Sequence, residues 1–121
     1  MSRDHRKLRV FQLADDLVVE VYRRTSGFPV EERYGLQSQI RRAAVSIPTN
    51  IVEGSARTTT KDYQHFVVIA LGSASEVRYL LGLACKLGFL SGPEQEDLGD
   101  RYDELVRSLQ KLIAAFDSED R

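Results

Sequence analysis

Cysteine is almost missing from these 121 residues: Cys85 stands alone. No internal disulfide is possible, and no cysteine-based zinc site can form within one chain. A reducing, cytoplasmic setting is therefore expected. Histidine is nearly as scarce, with only His5 and His65. Tryptophan is absent and proline occurs three times. Long apolar runs are lacking too. The longest, residues 66–71, falls far short of the ~20 residues that span a bilayer. The opening ten residues are basic, but no apolar segment follows them, so neither a targeting peptide nor a membrane role is expected. Internal repeats and strand-like alternation are also wanting.

Neither sign of charge dominates. The net charge is −1, which by itself points to no strong polyanion binding. The halves differ, however. Residues 1–61 carry eleven Lys/Arg against seven Asp/Glu, and residues 62–121 carry six against eleven. Such a chain could present a basic side to phosphate, or to the acidic side of another copy.

What is present is helical periodicity. The first helix is expected over about Leu8 to Thr25, with Phe11, Ala14, Val18 and Val21 as its buried stripe. Gly27 would then be a left-handed C-cap and Pro29 a stop. The second begins near Val30 or Glu31, carries Gly35 inside it, and ends between Gly54 and Arg57. Thr59 and Asp62 have capping-box spacing at the start of a third helix that runs to about Leu87. Its stripe is Phe66, Ala70, Ser73, Val77, Leu80, Ala84 and Leu87. The small residues Ala70, Gly72, Ser73, Ala74 and Ser75 in its middle predict close approach of the second helix at Ala43, Ala44 and Ser46. Gly88 is a C-cap by type, and Ser91 with Glu94 a capping box. The fourth helix has the most regular pattern: Leu98, Tyr102, Leu105, Leu109, Leu112 and Phe116. One all-α domain results, an antiparallel up-down-up-down four-helix bundle with residues 1–7 and 117–121 frayed.

The chain is organised around Gln39 to Arg57, in the second helix. Ile40, Ala44, Ile47 and Ile51 form one core face. Beside it runs a polar stripe of Arg42, Ser46, Asn50, Glu53 and Arg57. Pro48 lies in mid-helix, where it removes a backbone donor and crowds the Ala44 carbonyl. A kink is expected there, with Ser46 or Asn50 serving the freed carbonyl. Two readings of the polar stripe stand. In one it is an internal network: Arg42 or Arg57 pairs with Glu53 or Glu76, and Ser46, Asn50 and Ser73 complete the hydrogen bonds. In the other, Arg41, Arg42 and Arg57, joined by Lys61, contact phosphates or a neighbouring subunit. The two overlap, since Arg41 points about 100° from Arg42 on the helix.

Catalytic patterns are lacking. A di-iron bundle needs two Glu-x-x-His pairs, and Asp62-x-x-His65 is the only near match. Cys85 sits by a core stripe as a packed thiol. The run from Gly72 to Ser75 is intrahelical and lacks the lysine of a phosphate loop. Neither metal, cofactor nor small-molecule substrate is expected, and no enzyme activity.

The run from Arg41 to Arg57 (RRAAVSIPTNIVEGSAR), then DYQHF (Asp62 to Phe66) and IALGSASEV (Ile69 to Val77), resembles a known family. These are the bacterial four-helix-bundle proteins first noted in intervening sequences of 23S ribosomal RNA genes. The resemblance covers roughly Leu8 to Phe116. It implies a small cytoplasmic bundle that assembles into a ring, usually a homopentamer. A more distant resemblance is to the accessory subunit of diversity-generating reverse transcriptases, a pentameric bundle that binds nucleic acid through a basic surface. The matching positions are Arg42, Ser46, Pro48, Asn50, Glu53, Gly54, Arg57, Gly72, Ser73 and Glu76, and the family gives none of them a catalytic role. Unlike the strongly basic accessory subunits, this chain has an acidic fourth helix.

Two functions are thus expected from the sequence. One is a nucleic-acid-associated accessory protein that contacts RNA or DNA through Arg41, Arg42, Arg57 and Lys61. The alternative is a structural scaffold that binds protein, itself included.

Overall fold

The structure, a computed structural model, describes residues 4–119. Four helices make up nearly all of it: α1 (Arg9–Thr25), α2 (Leu36–Ser55), α3 (Thr60–Lys86) and α4 (Gly92–Glu119). No strand occurs among the described residues. α2 packs most extensively against α3, and α3 against α4; α1 lies against α2 and, over less surface, α4. Gln37 and Arg41 of α2 reach the last turn of α1. Gly54 of α2 lies against Tyr63 and Phe66 of α3. Gln64 of α3 donates to the Ile113 carbonyl and Asp117 of α4. These contacts join each helix to the one that follows it in the chain.

The core is one cluster drawn from all four helices. Ile40, Ala44, Ile47 and Ile51 are at most 1% exposed, so the stripe read on α2 is its buried face. The α4 seam is likewise buried, with Leu112 at its margin. On α1 the buried line is Val10, Ala14, Leu17 and Val21, with Phe11 and Val18 packed at its edge. On α3 it is Tyr63, Val67, Ala70, Ala74, Val77, Leu80, Leu81 and Ala84. That helix packs against both α2 and α4, so its buried arc is wider than one stripe. Leu87, expected inside, is 53% exposed. By length and composition α3 is apolar enough to cross a bilayer, but in the bundle its apolar line packs against its neighbours.

The helix ends follow partly from local sequence. Thr59 Oγ1 accepts from the Asp62 N–H at 3.1 Å. Ser91 and Glu94 make the reciprocal capping box, at 3.2 and 3.4 Å. Gly88 ends α3 with φ +82°, a conformation that costs glycine little.

Four expectations change. Gly27 does not adopt positive φ, and α1 ends at Ser26 in the right-handed region. Its last carbonyls are served by side chains of α2 instead. The second helix does not begin at Val30. Residues Val30–Glu32 form a short 3-10 helix, and Gly35, at φ −109° and ψ −116°, precedes α2 rather than sitting within it. Glu32 Oε1 accepts from the Leu36 N–H at 3.0 Å and closes that start. The amino-terminal arm is partly structured: Asp4 caps a 3-10 helix at His5–Lys7, and the His5 ring lies edge-on to Phe11, 4.8 Å between centroids. At the other end α4 continues through Asp117 to Glu119. Residues 1–3 and 120–121, also expected to fray, lie outside the described residues.

α2 is helical through the buried Pro48. The Asn50 side-chain amide donates to the Ser46 carbonyl at 2.8 Å and to Ser46 Oγ at 3.0 Å. It thus strengthens the turn around the proline rather than serving the Ala44 carbonyl that the proline leaves without a donor.

Candidate functional site

The polar stripe of α2 divides into a paired inner part and a solvated outer part. Inside, the Ser46 and Ser73 hydroxyls share a hydrogen bond of 2.9 Å between α2 and α3, and Asn50 joins them through Ser46. These three side chains form one hydrogen-bonded network. Glu53 and Glu76 do not belong to it. Both are exposed, and neither makes an ion pair or side-chain hydrogen bond among the described residues. The expected pairing with Arg42 or Arg57 is therefore not made. Water already solvates these carboxylates, so burial does not force a partner on them. Glu76 lines an open groove of about 450 Å³ between α2 and α3, with Gln39, Arg42, Ala43, Ser46 and Ser73.

The arginines have different tasks. Arg41 is half-buried and turned to α1. Its Nε donates to Thr25 Oγ1 at 3.0 Å, and its Nη2 to the Tyr22 carbonyl at 3.1 Å. Its guanidinium lies 4.5 Å from the Tyr22 ring centre. Gln37 adds a 2.8 Å bond to the Thr25 carbonyl. A cation here suits the negative end of α1, and both residues occupy carbonyls that a helix end leaves open. Arg42 points the other way. It is exposed, with one weak contact, 3.5 Å, to Ser38 Oγ.

Arg41 and Arg42 both line a groove of about 670 Å³ where α1 ends and α2 begins. Tyr22, Arg33, Tyr34, Gln37 and Ser38 share its wall, and no carboxylate does. Tyr34 is 89% exposed. Arg33 is exposed and makes no ion pair among the described residues. The sequence reading put Arg33 and Tyr34 in the first turns of the second helix, on none of its stripes, and so passed over them; the structure places them between helices. The available signal was a tyrosine beside an arginine in a stretch with no apolar face to bury it.

Arg57 and Lys61 stand elsewhere. Arg57 lies just past the far end of α2, fifteen residues from Arg42 or roughly 22 Å along a helix axis. Its guanidinium sits 4.6 Å from the Phe66 ring centre. Lys61 is exposed in the first turn of α3. The four basic positions read from the sequence are therefore two separate sets, one at each end of α2.

The acidic face of α4 is partly neutralised within the chain. Arg24 of α1 reaches Asp97 at 2.7 Å and Glu20 at 3.3 Å; Arg101 reaches Asp97 at 3.3 Å. Arg78 pairs with Asp103 at 2.6 Å, and Arg9 with Glu104 at 3.5 Å. The hydrogen bond from Arg24 holds the Asp97 carboxyl below its ordinary value. Two of these pairs, Arg24 with Asp97 and Arg9 with Glu104, join the basic half of the sequence to the acidic half within one chain.

His65 is exposed and Cys85 half-buried. Among the described residues, no group of three His, Cys, Asp or Glu side chains is placed to hold a metal.

Comparison with known proteins agrees with the fold. The chain is similar to a protein of unknown function from the S23 ribosomal protein family of Bacteroides thetaiotaomicron VPI-5482. The two share 22% identity and a TM-score of 0.77, over 86% of this chain and 97% of that one. None of the curated proteins compared matches this chain. The family described as 23S rRNA-intervening sequence protein matches residues 6–111, which takes in α1 to α3 and most of α4. By that match the chain belongs to the 23S rRNA-intervening sequence protein family.

Proposed function

We propose that this protein is a non-catalytic, cytoplasmic bundle that associates with RNA. The observation that carries the reading is the groove between α1 and α2. It gathers Arg33, Arg41 and Arg42 with two tyrosines and no carboxylate in its wall. Arg33 and Arg42 are free of acidic partners among the described residues and can meet phosphate without breaking an ion pair. Arg41 adds positive potential while it holds α1. Arg57 and Lys61 offer a second phosphate position, so an extended strand or a helix of RNA could touch both ends of α2. The family's description is consistent with an RNA setting. Titration of a structured RNA at 50 and 200 mM salt tests this. Affinity should fall steeply with salt as phosphate counterions are exchanged; no binding at 50 mM removes the reading.

A second reading is self-assembly, as a homo-oligomer and by resemblance a pentamer. Val68, Ile69 and Tyr79 of α3 and Val45 and Val52 of α2 are exposed, and Gly72 has open space around it. Mass measurement in solution tests it, and a monomer at micromolar concentration contradicts it. The two surfaces share Val45, which also lines the groove, whereas Val68, Ile69 and Tyr79 do not line it.

A further inference from the structure

We propose that the groove at the α1–α2 corner takes single-stranded nucleic acid, with an unpaired base stacked on Tyr34 and neighbouring phosphates held by Arg33 and Arg42. The inference rests on the RNA reading above and goes beyond it by naming the form of strand and the residue that distinguishes it.

Three observations lead there. The first is the ring itself. Tyr34 is the most exposed of the large hydrophobic side chains and makes no ring contact among the described residues. Its neighbour Tyr22 is 44% exposed and has Arg41 over its ring, so Tyr34 is the ring left to receive a planar partner. The second is charge. The groove between α1 and α4 contains Glu104 among its basic residues, and the groove between α2 and α3 contains Glu76. Only the α1–α2 corner, of these three, has basic residues without an acid in its wall. The third is polarity at the floor. Gln37 and Ser38 line it beside Val45, which gives hydrogen-bonding groups for a base edge next to an apolar surface. Aromatic rings interleaved with cations are what unpaired strands use, since each base offers a flat face when it is not already stacked in a duplex. Duplex RNA hides those faces and meets proteins through its phosphates and 2′-hydroxyls.

The test uses the full chain and a fluorescein-labelled 12-nucleotide RNA without self-complementarity. The same strand is offered as a duplex, and also with abasic residues. The single strand should bind at least tenfold tighter than the duplex. Tyr34→Ala should weaken single-strand binding about 5- to 150-fold, and Tyr34→Phe should restore it. On the abasic strand Tyr34→Ala should change nothing. The ring is exposed, so all variants should keep the wild-type melt. If Tyr34→Ala binds as wild type does while salt-dependent RNA binding persists, the inference falls and the RNA reading stands. Preference for the duplex has the same consequence. Displacement of the RNA by an equimolar polyglutamate peptide would assign the groove to acidic protein and overturn the inference. If the wild type binds neither strand at 50 mM salt, the RNA reading and the inference fall together.

Discussion

The hydroxyls of Ser46 and Ser73 lie 2.9 Å apart and tie the middle of α2 to the middle of α3. Ser46 Oγ also receives the Asn50 amide at 3.0 Å. Two small side chains let the helices come close, and the bond between them satisfies both hydroxyls. Ser73→Ala should cost about 0.5–1.5 kcal/mol, because Ser46 keeps Asn50 as a partner. Urea melts of Ser73→Ala, Asn50→Ala and the double variant should be non-additive. Additive losses would show that the three residues do not act together.

Gly54 and Gly72 should respond to alanine in opposite ways. A Cβ on Gly54 would stand 2.9 Å from Tyr63 Cδ1, 3.0 Å from Phe66 Cβ and 3.2 Å from the Tyr63 carbonyl. Overpacking of that kind costs about 1–3 kcal/mol. Gly72 has nothing within 4 Å, so Gly72→Ala should raise stability by up to about 1 kcal/mol through helix propensity. If the same variant weakens association in solution, the Gly72 surface is where copies meet.

Acid should loosen the α1–α4 contact through Asp97. Its carboxyl titrates below the ordinary value because Arg24 donates to it, with Arg101 nearby. A carboxyl held low in the folded state stabilises above its unfolded value, about 3.9. That contribution is lost as pH falls through the lower native value. The Tm advantage of wild type over Asp97→Asn should therefore be constant from pH 7 to about 5 and vanish towards pH 2. An advantage that persists at pH 2 would contradict the ion-pair account.

Tyr102 lies in the α4 seam at 0% exposure, and its hydroxyl has no partner among the described residues. Burial pushes its phenol above the ordinary value. An unsatisfied buried hydroxyl costs about 1–3 kcal/mol. Tyr102→Phe keeps the ring and removes the cost, so thermal melts should show stabilisation of about 1 kcal/mol. A loss of similar size would mean that the hydroxyl is bonded after all.

Much of this bundle was legible in sequence, and the remainder fails for identifiable reasons. Ile40, Ala44, Ile47 and Ile51 on α2, and the Leu98 to Phe116 seam on α4, are read directly from spacing. The α3 stripe shifted because that helix packs against two neighbours, which a single-face pattern does not represent. Gly27 looked like a cap because local residue type favours it. The caps of α1 come from Gln37 and Arg41, twelve and sixteen residues beyond Thr25. The α2 stripe set Arg42 and Glu53 on one face, but a shared direction does not bring exposed ends together. Arg33 and Tyr34 lie in an aperiodic loop, and folding is what places them in a groove with Arg42.

The most direct test concerns which end of α2 meets phosphate. Salt dependence of binding to a single-stranded RNA should be compared for wild type, Arg33→Gln with Arg42→Gln, and Arg57→Gln with Lys61→Gln. Each lost phosphate contact lowers the slope of log affinity against log salt by about 0.7. The Arg33/Arg42 variant should flatten the slope by about 1.4, more than the Arg57/Lys61 variant does. A slope unchanged in the Arg33/Arg42 variant, with the loss confined to the Arg57/Lys61 variant, would contradict the account.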